Sequence, residues 1–289
     1  MTRINNPAGR IALRLTQAFA AALATAAGFL AWQHFYPVQA AEGWRYRVVH
    51  EDVKKAAALG IDKDGNLLVS QELRDGQGSI ISIDGNGKRT VLVNGLTKPD
   101  GLTPFMGGFA FSQETANAPV ALLKDGTVTD LFTGNSAQGL KADGPLLYTI
   151  EDRKGDGRLM RYDARDQSLT VLRDGLSETE SFEICPGDRR LYTVKEAGLV
   201  RQMSEDKTDP VFLRGLKEPT FLLCDKRGLW IVEDQTHMAR LWLLGPDGEL
   251  RVVLSHLRAP QELMPVGEDR YLLAEGGRDR VIELGVDGG

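Results

Sequence analysis

The chain has 289 residues, of which 42% are hydrophobic and 26% charged, a balance that suits a packed globular core and excludes a disordered chain. A formal net charge of −5 at pH 7, with no basic stripe interleaved with aromatics, gives no electrostatic case for nucleic acid or anionic lipid as a partner. GxSxG, HExxH and GxGxxG motifs are all absent, so serine-nucleophile, metalloprotease and dinucleotide chemistry have no anchor, and no organic cofactor is expected.

Residues 1–40 read as a targeting segment. Arg3, Arg10 and Arg14 form a positive region with no acid before Glu42. An alanine-rich apolar stretch follows from Leu15 to Trp32, and Val38-Gln39-Ala40 then offers a small-residue cleavage site. Export to the periplasm or beyond is expected. Whether the segment is cleaved stays open, because Leu15 to Trp32 is about the minimum length for a membrane span and would serve as an anchor in the cytoplasmic membrane. The domain then runs over 41–289, with 32 basic against 40 acidic residues.

From Ala56 onward one phrase returns six times: a Pro-x-x-aliphatic or small-residue opening, a short turn, and a hydrophobic strand ending in an acid. The second residue of each copy is Ala57, Asp100, Gln138, Glu180, Thr220 and Gln261, spaced by 43, 38, 42, 40 and 41 residues. A period near forty with strand content is the signature of a β-propeller blade. The first copy shows the pattern, with Leu59–Asp62, a Lys63-Asp64-Gly65-Asn66 turn, Leu67–Ser70, Ser79–Ile83, an Asp84-Gly85-Asn86-Gly87 turn and Thr90–Val93. Only 28 residues follow Gln261, enough for three strands. The alternating segment Trp44 to His50 is therefore predicted to supply the missing outer strand and close the ring. The fold expected is all-β: one six-bladed propeller in a monomer.

In such a ring the Asp-Gly hairpins fall on the bottom face, and the longer, more varied loops on the top, where binding groups usually lie. Two sets of side chains converge there. The inner set, which varies from blade to blade, is Ala57, Asp100, Gln138, Glu180, Thr220 and Gln261. Asp100, Gln138, Glu180, Thr220 and Gln261 are the predicted ligand-binding residues, and Asp100 and Glu180 the candidates for catalysis. The second set closes the second strands: Glu72, Glu114, Glu151, Lys195, Glu233 and Glu275. Glutamates gathered around an axis either accept backbone N–H groups from the following loop or share a cation, since they otherwise repel. Asp100, Glu180, Glu151 and Glu233 are the predicted metal ligands, and oxygen donors of this kind suit Ca²⁺ or Mg²⁺.

Cys185 and Cys224 are the only cysteines, and both fall late in the first strand of adjacent copies. An oxidising compartment permits a disulfide, but neighbouring innermost strands are expected to diverge too far for an easy bridge, so buried free thiols are the favoured expectation and a bridge stays open.

At Pro99-Asp100-Gly101-Leu102, at Pro219 to Trp230 and at Ala56 to Val69, the chain resembles the gluconolactonase/regucalcin family of six-bladed propellers, with NHL-repeat propellers as near neighbours. The likeness spans about 42–289. It implies one divalent cation (Ca²⁺, Mg²⁺ or Zn²⁺) on the axis, which polarises a lactone carbonyl or activates water, with an acidic neighbour relaying the proton. By this resemblance Asp100 matches a Pro-Asp-Gly ligand position, Gln138 and Glu180 occupy equivalent places with different residues, and the first-blade Glu falls near Ala56, which coordinates nothing. Two functions stay open: a propeller that binds a small molecule or a protein partner at its top funnel, which the incomplete ligand set favours, and a metal-dependent hydrolase of lactones or related esters.

Overall fold

A computed structural model describes residues 7–287. The chain divides after Val38 into two units, Met1–Val38 and Gln39–Gly289. The first holds one α-helix, Pro7–Phe35. From Gly9 to Phe35 its mean hydropathy reaches 1.4, long and apolar enough to cross a membrane, although a signal sequence meets the same criterion. Its threonines return their hydroxyls to the helix backbone, Thr16 to the Ala12 carbonyl and Thr25 to that of Ala21, both at 3.0 Å.

The second unit consists of six antiparallel sheets of four strands each, one of them widened by a fifth. Short β-rich runs bounded by Gly and Asp turns leave the chain little else to form. Burial grades outward within a blade. In blade one the inner strands Ala56–Ile61 and Leu67–Gln71 are almost wholly buried, whereas the outer strand Arg89–Leu96 is exposed along most of its length. The core lies between blades, because each sheet packs a face on the next. Ala58, Leu68 and Ile80 of blade one meet Leu102, Phe111 and Ala121 of blade two in this way.

Blade six closes the ring as the strand count predicted. Trp44–His50 pairs antiparallel with Arg280–Val286, Trp44 opposite Val286 and Arg47 opposite Glu283. The chain is held one step earlier as well. Gln39 and Ala40 pair with Ser255 and Leu254 on the outer strand of blade five, and the Ala41 N–H donates to the Val253 carbonyl at 2.9 Å. Trp44 then lies edge-on to the fully buried Trp230 of blade five, 5.4 Å between centroids, and Trp230 contacts Tyr271 of blade six at 4.7 Å. An aromatic wedge thus seals the junction between blades five and six.

Free thiols are not what the structure contains: Cys185 and Cys224 form a disulfide, with their Cα atoms 5.2 Å apart. The expectation failed because the innermost strands of blades four and five, Phe182–Cys185 and Pro219–Asp225, converge toward the axis and bring the two cysteines within bridging range.

One junction repeats six times and shapes the top face. Lys55, Lys98, Ser136, Glu178, Glu218 and Ala259, each just before a first strand, take left-handed backbone with φ between 38° and 55°. Their carbonyls accept the N–H of Glu72, Glu114, Asp152, Lys195, Asp234 and Gly276, each just after a second strand, at 2.7–3.1 Å. The reversal costs about 1 kcal/mol or more at each non-glycine residue. It is held because the tie fixes where every first strand begins, and hence which side chains reach the axis.

Candidate functional site

A bulge spans the marker position in at least four blades: register shifts between Ala56 and Leu59, Ala137 and Leu140, Pro219 and Phe221, and Pro260 and Leu263. A bulge leaves backbone N–H groups without ladder partners, and at this level hydroxyls near the end of the neighbouring second strand take up the inner-strand N–H groups. Ala58 N–H donates to Ser70 Oγ at 2.8 Å, Gly101 N–H to Ser112 Oγ at 2.9 Å, and Ser181 N–H to Thr193 Oγ1 at 3.1 Å. Ser112 Oγ in turn donates to the Gln138 carbonyl at 2.8 Å, tying blade two to blade three at the axis. Blades approach so closely there that a Cβ on Gly101 would lie 2.6 Å from Ser112 Oγ and 2.7 Å from the Gln138 oxygen.

The inner set comes together as predicted by its position in the repeat. Asp100, Glu180, Thr220 and Gln261, with Ala57, line a narrow axial cavity of about 40 Å³. Gln138 is buried beside it and donates through Nε2 to Asp152 Oδ2 at 3.3 Å. A wider recess of about 560 Å³ opens to one side, lined by Asp152, Glu178, Glu180, Lys195, Glu196 and Glu218. Five carboxylates against one ammonium make that mouth a surface of hydrogen-bond acceptors.

The glutamate ring does not survive as one set. Glu72, Glu114 and Lys195 share their place with Asp152 and Asp234, at the tie described above. Glu151, Glu233 and Glu275 stand one residue earlier, opposite Ala137, Pro219 and Pro260, and the pleat sends them elsewhere. All three are fully buried. Glu151 is held by Arg158 at 2.7 and 2.8 Å and accepts the Asn135 N–H at 2.9 Å. Glu233 is held by Arg240 at 2.7 and 2.9 Å and accepts the Lys217 N–H at 2.8 Å. Glu275 pairs with Arg278 and Arg280 and accepts the Arg258 N–H at 2.9 Å. Glu151 and Glu233, predicted as cation ligands, are thereby committed to arginine forks inside their blades rather than to the axis.

Two lysines occupy the centre of the acidic face. Lys195 Nζ lies 2.7 Å from Glu180 Oε1 and 3.1 Å from Asp234 Oδ2. Lys98 Nζ lies 3.2 Å from Glu72 Oε1 and is bonded also to Glu114. Burial opposes the Lys195 charge, yet Glu180 and Asp234 outweigh it and hold the ammonium above the ordinary lysine range. Burial likewise pushes the Glu180 carboxyl well up, against the pull of Lys195.

Asp100 is different. It accepts no hydrogen bond from any described residue, and burial, reinforced by the nearby Glu72 charge, pushes its carboxyl up to about 7. Beneath it Glu262 accepts the Leu59 N–H at 2.8 Å and is pushed up to about 8, by burial first and then by Asp100. In a recess shared with Glu262, Lys141 and Glu183 pair at 2.6 Å.

Lys98 and Glu262 were missed by sequence reasoning. Glu262 neighbours Gln261, which was singled out, and strict alternation would turn it away from the axis. The bulge between Pro260 and Leu263 breaks that alternation and leaves both Gln261 and Glu262 on the axis.

The axial cation implied by the family resemblance finds no fitting donor set. Among the described residues no group of three or more His, Cys, Asp and Glu side chains is arranged to hold a metal ion. Of the acids around the axis, Glu72, Glu114, Glu180 and Asp234 are already bridged by Lys98 and Lys195.

Fold and site together define a six-bladed β-propeller with a polar, ammonium-bridged funnel at the top of its axis. No protein-family model matches the chain, and no curated protein matches it in sequence. Solved structures do match it. A gluconolactonase from Xanthomonas campestris is similar at 13% identity and a TM-score of 0.66, over 86% of this chain and 91% of that one. A virginiamycin B lyase from Staphylococcus aureus matches at 13% identity and 0.59, over 86% and 100%. An auxiliary nutrient binding protein from Bacteroides thetaiotaomicron matches at 15% and 0.63, over 81% and 69%. At such identities the likeness establishes the fold, and activity does not travel with it.

Proposed function

We propose that this protein is an exported propeller that binds a small molecule rich in hydrogen-bond donors, a polyol, sugar or amine, at its top funnel. The observation that carries the reading is Asp100, a carboxyl on the wall of the axial cavity with no donor from the chain. On the same face Asp152 Oδ1 is buried without a hydrogen-bond partner, and a buried acceptor left unpaired costs on the order of 1–3 kcal/mol. A ligand O–H or N–H removes that penalty. The adjoining recess, lined by Asp152, Glu178, Glu196 and Glu218, offers further acceptors and room for the body of such a ligand. Export is supported by the apolar helix Pro7–Phe35 and by the disulfide, which suits an oxidising compartment.

A second reading, hydrolysis of a lactone or related ester, is favoured by one observation. A carboxyl held at about 7 exchanges protons near neutrality, as a general base must.

Both are tested by one experiment on the full-length protein. A thermal-shift panel of sugars, polyols, amines and lactones is followed by calorimetry of any hit against wild type, Asp100→Ala and Gln138→Ala. The binding reading expects a saturable shift that Asp100→Ala abolishes, with no turnover. Turnover of a lactone, lost in Asp100→Asn, would favour the hydrolase instead. Binding that is indifferent to both substitutions would remove the funnel from the account.

A further inference from the structure

We infer that the Lys195 ammonium takes the place of a divalent cation in this funnel, so that Glu180 and Asp234 are neutralised by the chain itself and the site works without a metal.

The repeat makes Lys195 an exception with a direction. At the same tie blades one, two, three and five carry Glu72, Glu114, Asp152 and Asp234, whereas blade four carries a lysine. One acid of the ring has thus become its counterion. The ammonium reaches across to acids of two blades, Glu180 of blade four at 2.7 Å and Asp234 of blade five at 3.1 Å, with its side chain only 22% exposed.

Space and donor number both work against a metal. Calcium needs six to eight oxygens at about 2.3–2.6 Å, and an ion bound by Glu180 Oε1 and Asp234 Oδ2 would fall on the volume that Nζ fills. Lys98 engages Glu72 and Glu114, and Gln138 engages Asp152. Asp100, without a donor from the chain, and Glu262, which accepts the Leu59 N–H, are the carboxylates left on the axial cavity, and two carboxylates fall short of the six to eight oxygens calcium needs. The assignment holds whichever ligand the funnel takes, because it concerns only the charge on Glu180 and Asp234.

Without Lys195, Glu180 and Asp234 would face each other with Asp100 and Asp152 nearby and no counterion. Like charges so placed either take up protons or recruit a cation. A lysine-to-methionine change should therefore convert the funnel into a calcium-responsive site.

The test uses the full-length protein purified without chelator. Metal content is measured by elemental analysis, and melting is followed in calcium, magnesium, zinc or EDTA. Wild type should carry far less than one metal per chain and melt at one temperature in all four. Lys195→Met should melt higher in calcium than in EDTA and bind calcium about tenfold or more tightly than wild type, a gain that adding Glu180→Gln removes. Lys195→Arg, which keeps the charge, should stay indifferent to metal and provides the comparison if Lys195→Met does not fold. A stoichiometric metal on wild type whose removal lowers its melting temperature overturns the inference. So does a folded Lys195→Met that ignores calcium, or a Lys195→Arg that requires it.

Discussion

Glu151 and Asp152 are neighbours in the chain and face different worlds: Arg158 grips both oxygens of Glu151 inside blade three, whereas Asp152 accepts from Gln138 at the axis. The pleat alone separates them. Glu151 has no exposed surface, so its charge depends on Arg158 and the Asn135 N–H. Arg158→Met should therefore destabilise the protein by about 3 kcal/mol or more, since removing one partner strands a buried charge. Glu151→Gln, which keeps the backbone hydrogen bond, should cost less. Chemical denaturation measures both, and an Arg158→Met change within a few tenths of a kcal/mol would show that the fork contributes nothing.

The axial acids predict how stability varies with pH. Asp100 and Glu262 titrate at about 7 and about 8 in the folded protein. In the unfolded chain they titrate near their ordinary values of 3.8 and 4.5. Between those limits the folded state binds more protons, so stability falls as pH rises. Burial raises Glu180, Asp152 and Asp234 as well, which acts in the same direction. From pH 5 to pH 8 the melting temperature should decline, with Asp100 alone contributing on the order of 2–4 kcal/mol. Asp100→Asn and Glu262→Gln should each flatten the profile and stabilise the protein at pH 8. A wild-type melting temperature that is level or rising across this window would contradict the prediction.

Much of this was legible in the sequence, and the reasons are local. Six Asp-Gly or Gly-rich hairpins at a period near forty leave few alternatives to a six-bladed ring, and the short last copy required Trp44–His50 as its outer strand. Inner positions such as Asp100 and Gln261 were found because a residue that varies while its surroundings repeat sits where the repeats face a common point. What escaped depended on register or on distance through space. Glu151 and Glu72 look equivalent in a list of strand-ending acids, yet Glu72 stands at the tie and Glu151 one residue before it. Glu262 was hidden by a bulge that no alternation signals. Cys185 and Cys224 are 39 residues apart, and their meeting depends on how tightly two blades converge.

That disulfide links two blades that are otherwise held by side-chain packing, the Lys195–Asp234 ion pair and the Leu222 N–H donated to Ser181 Oγ at 3.1 Å. In the chain-entropy account, closing a loop of 39 residues stabilises by about 3–4.5 kcal/mol. The double variant Cys185→Ser, Cys224→Ser should lose stability on that scale, and wild type under reducing conditions should do the same. Because the bridge lies outside the funnel, any ligand found for the wild type should still bind the folded double variant. Denaturation with and without reductant, joined to a binding measurement, checks both halves. Equal stability with and without reductant would mean that the link constrains nothing the fold had not already fixed.

Ring closure distinguishes two short segments at the start of the propeller. Gln39–Ala40 adds one pair of residues to the edge of blade five, where Ser255 and Leu254 already belong to a complete sheet. Trp44–His50 is the fourth strand of blade six, and Trp44 also caps the buried Trp230. A chain beginning at Glu42 should therefore fold and melt within a few degrees of the longer form, since within the propeller the loss is the edge pairing and the Ala41 hydrogen bonds with Val253 and Trp44. A chain beginning at Glu51 should expose the Arg280–Val286 edge, in which Val281, Ile282 and Leu284 are fully buried. An unpaired apolar edge is a template for aggregation. That chain is expected to be recovered as soluble aggregates or to be cut readily in blades five and six by limited proteolysis. If it instead runs as a monomer and melts close to the intact protein, the N-terminal strand is an ornament on the ring and not its clasp.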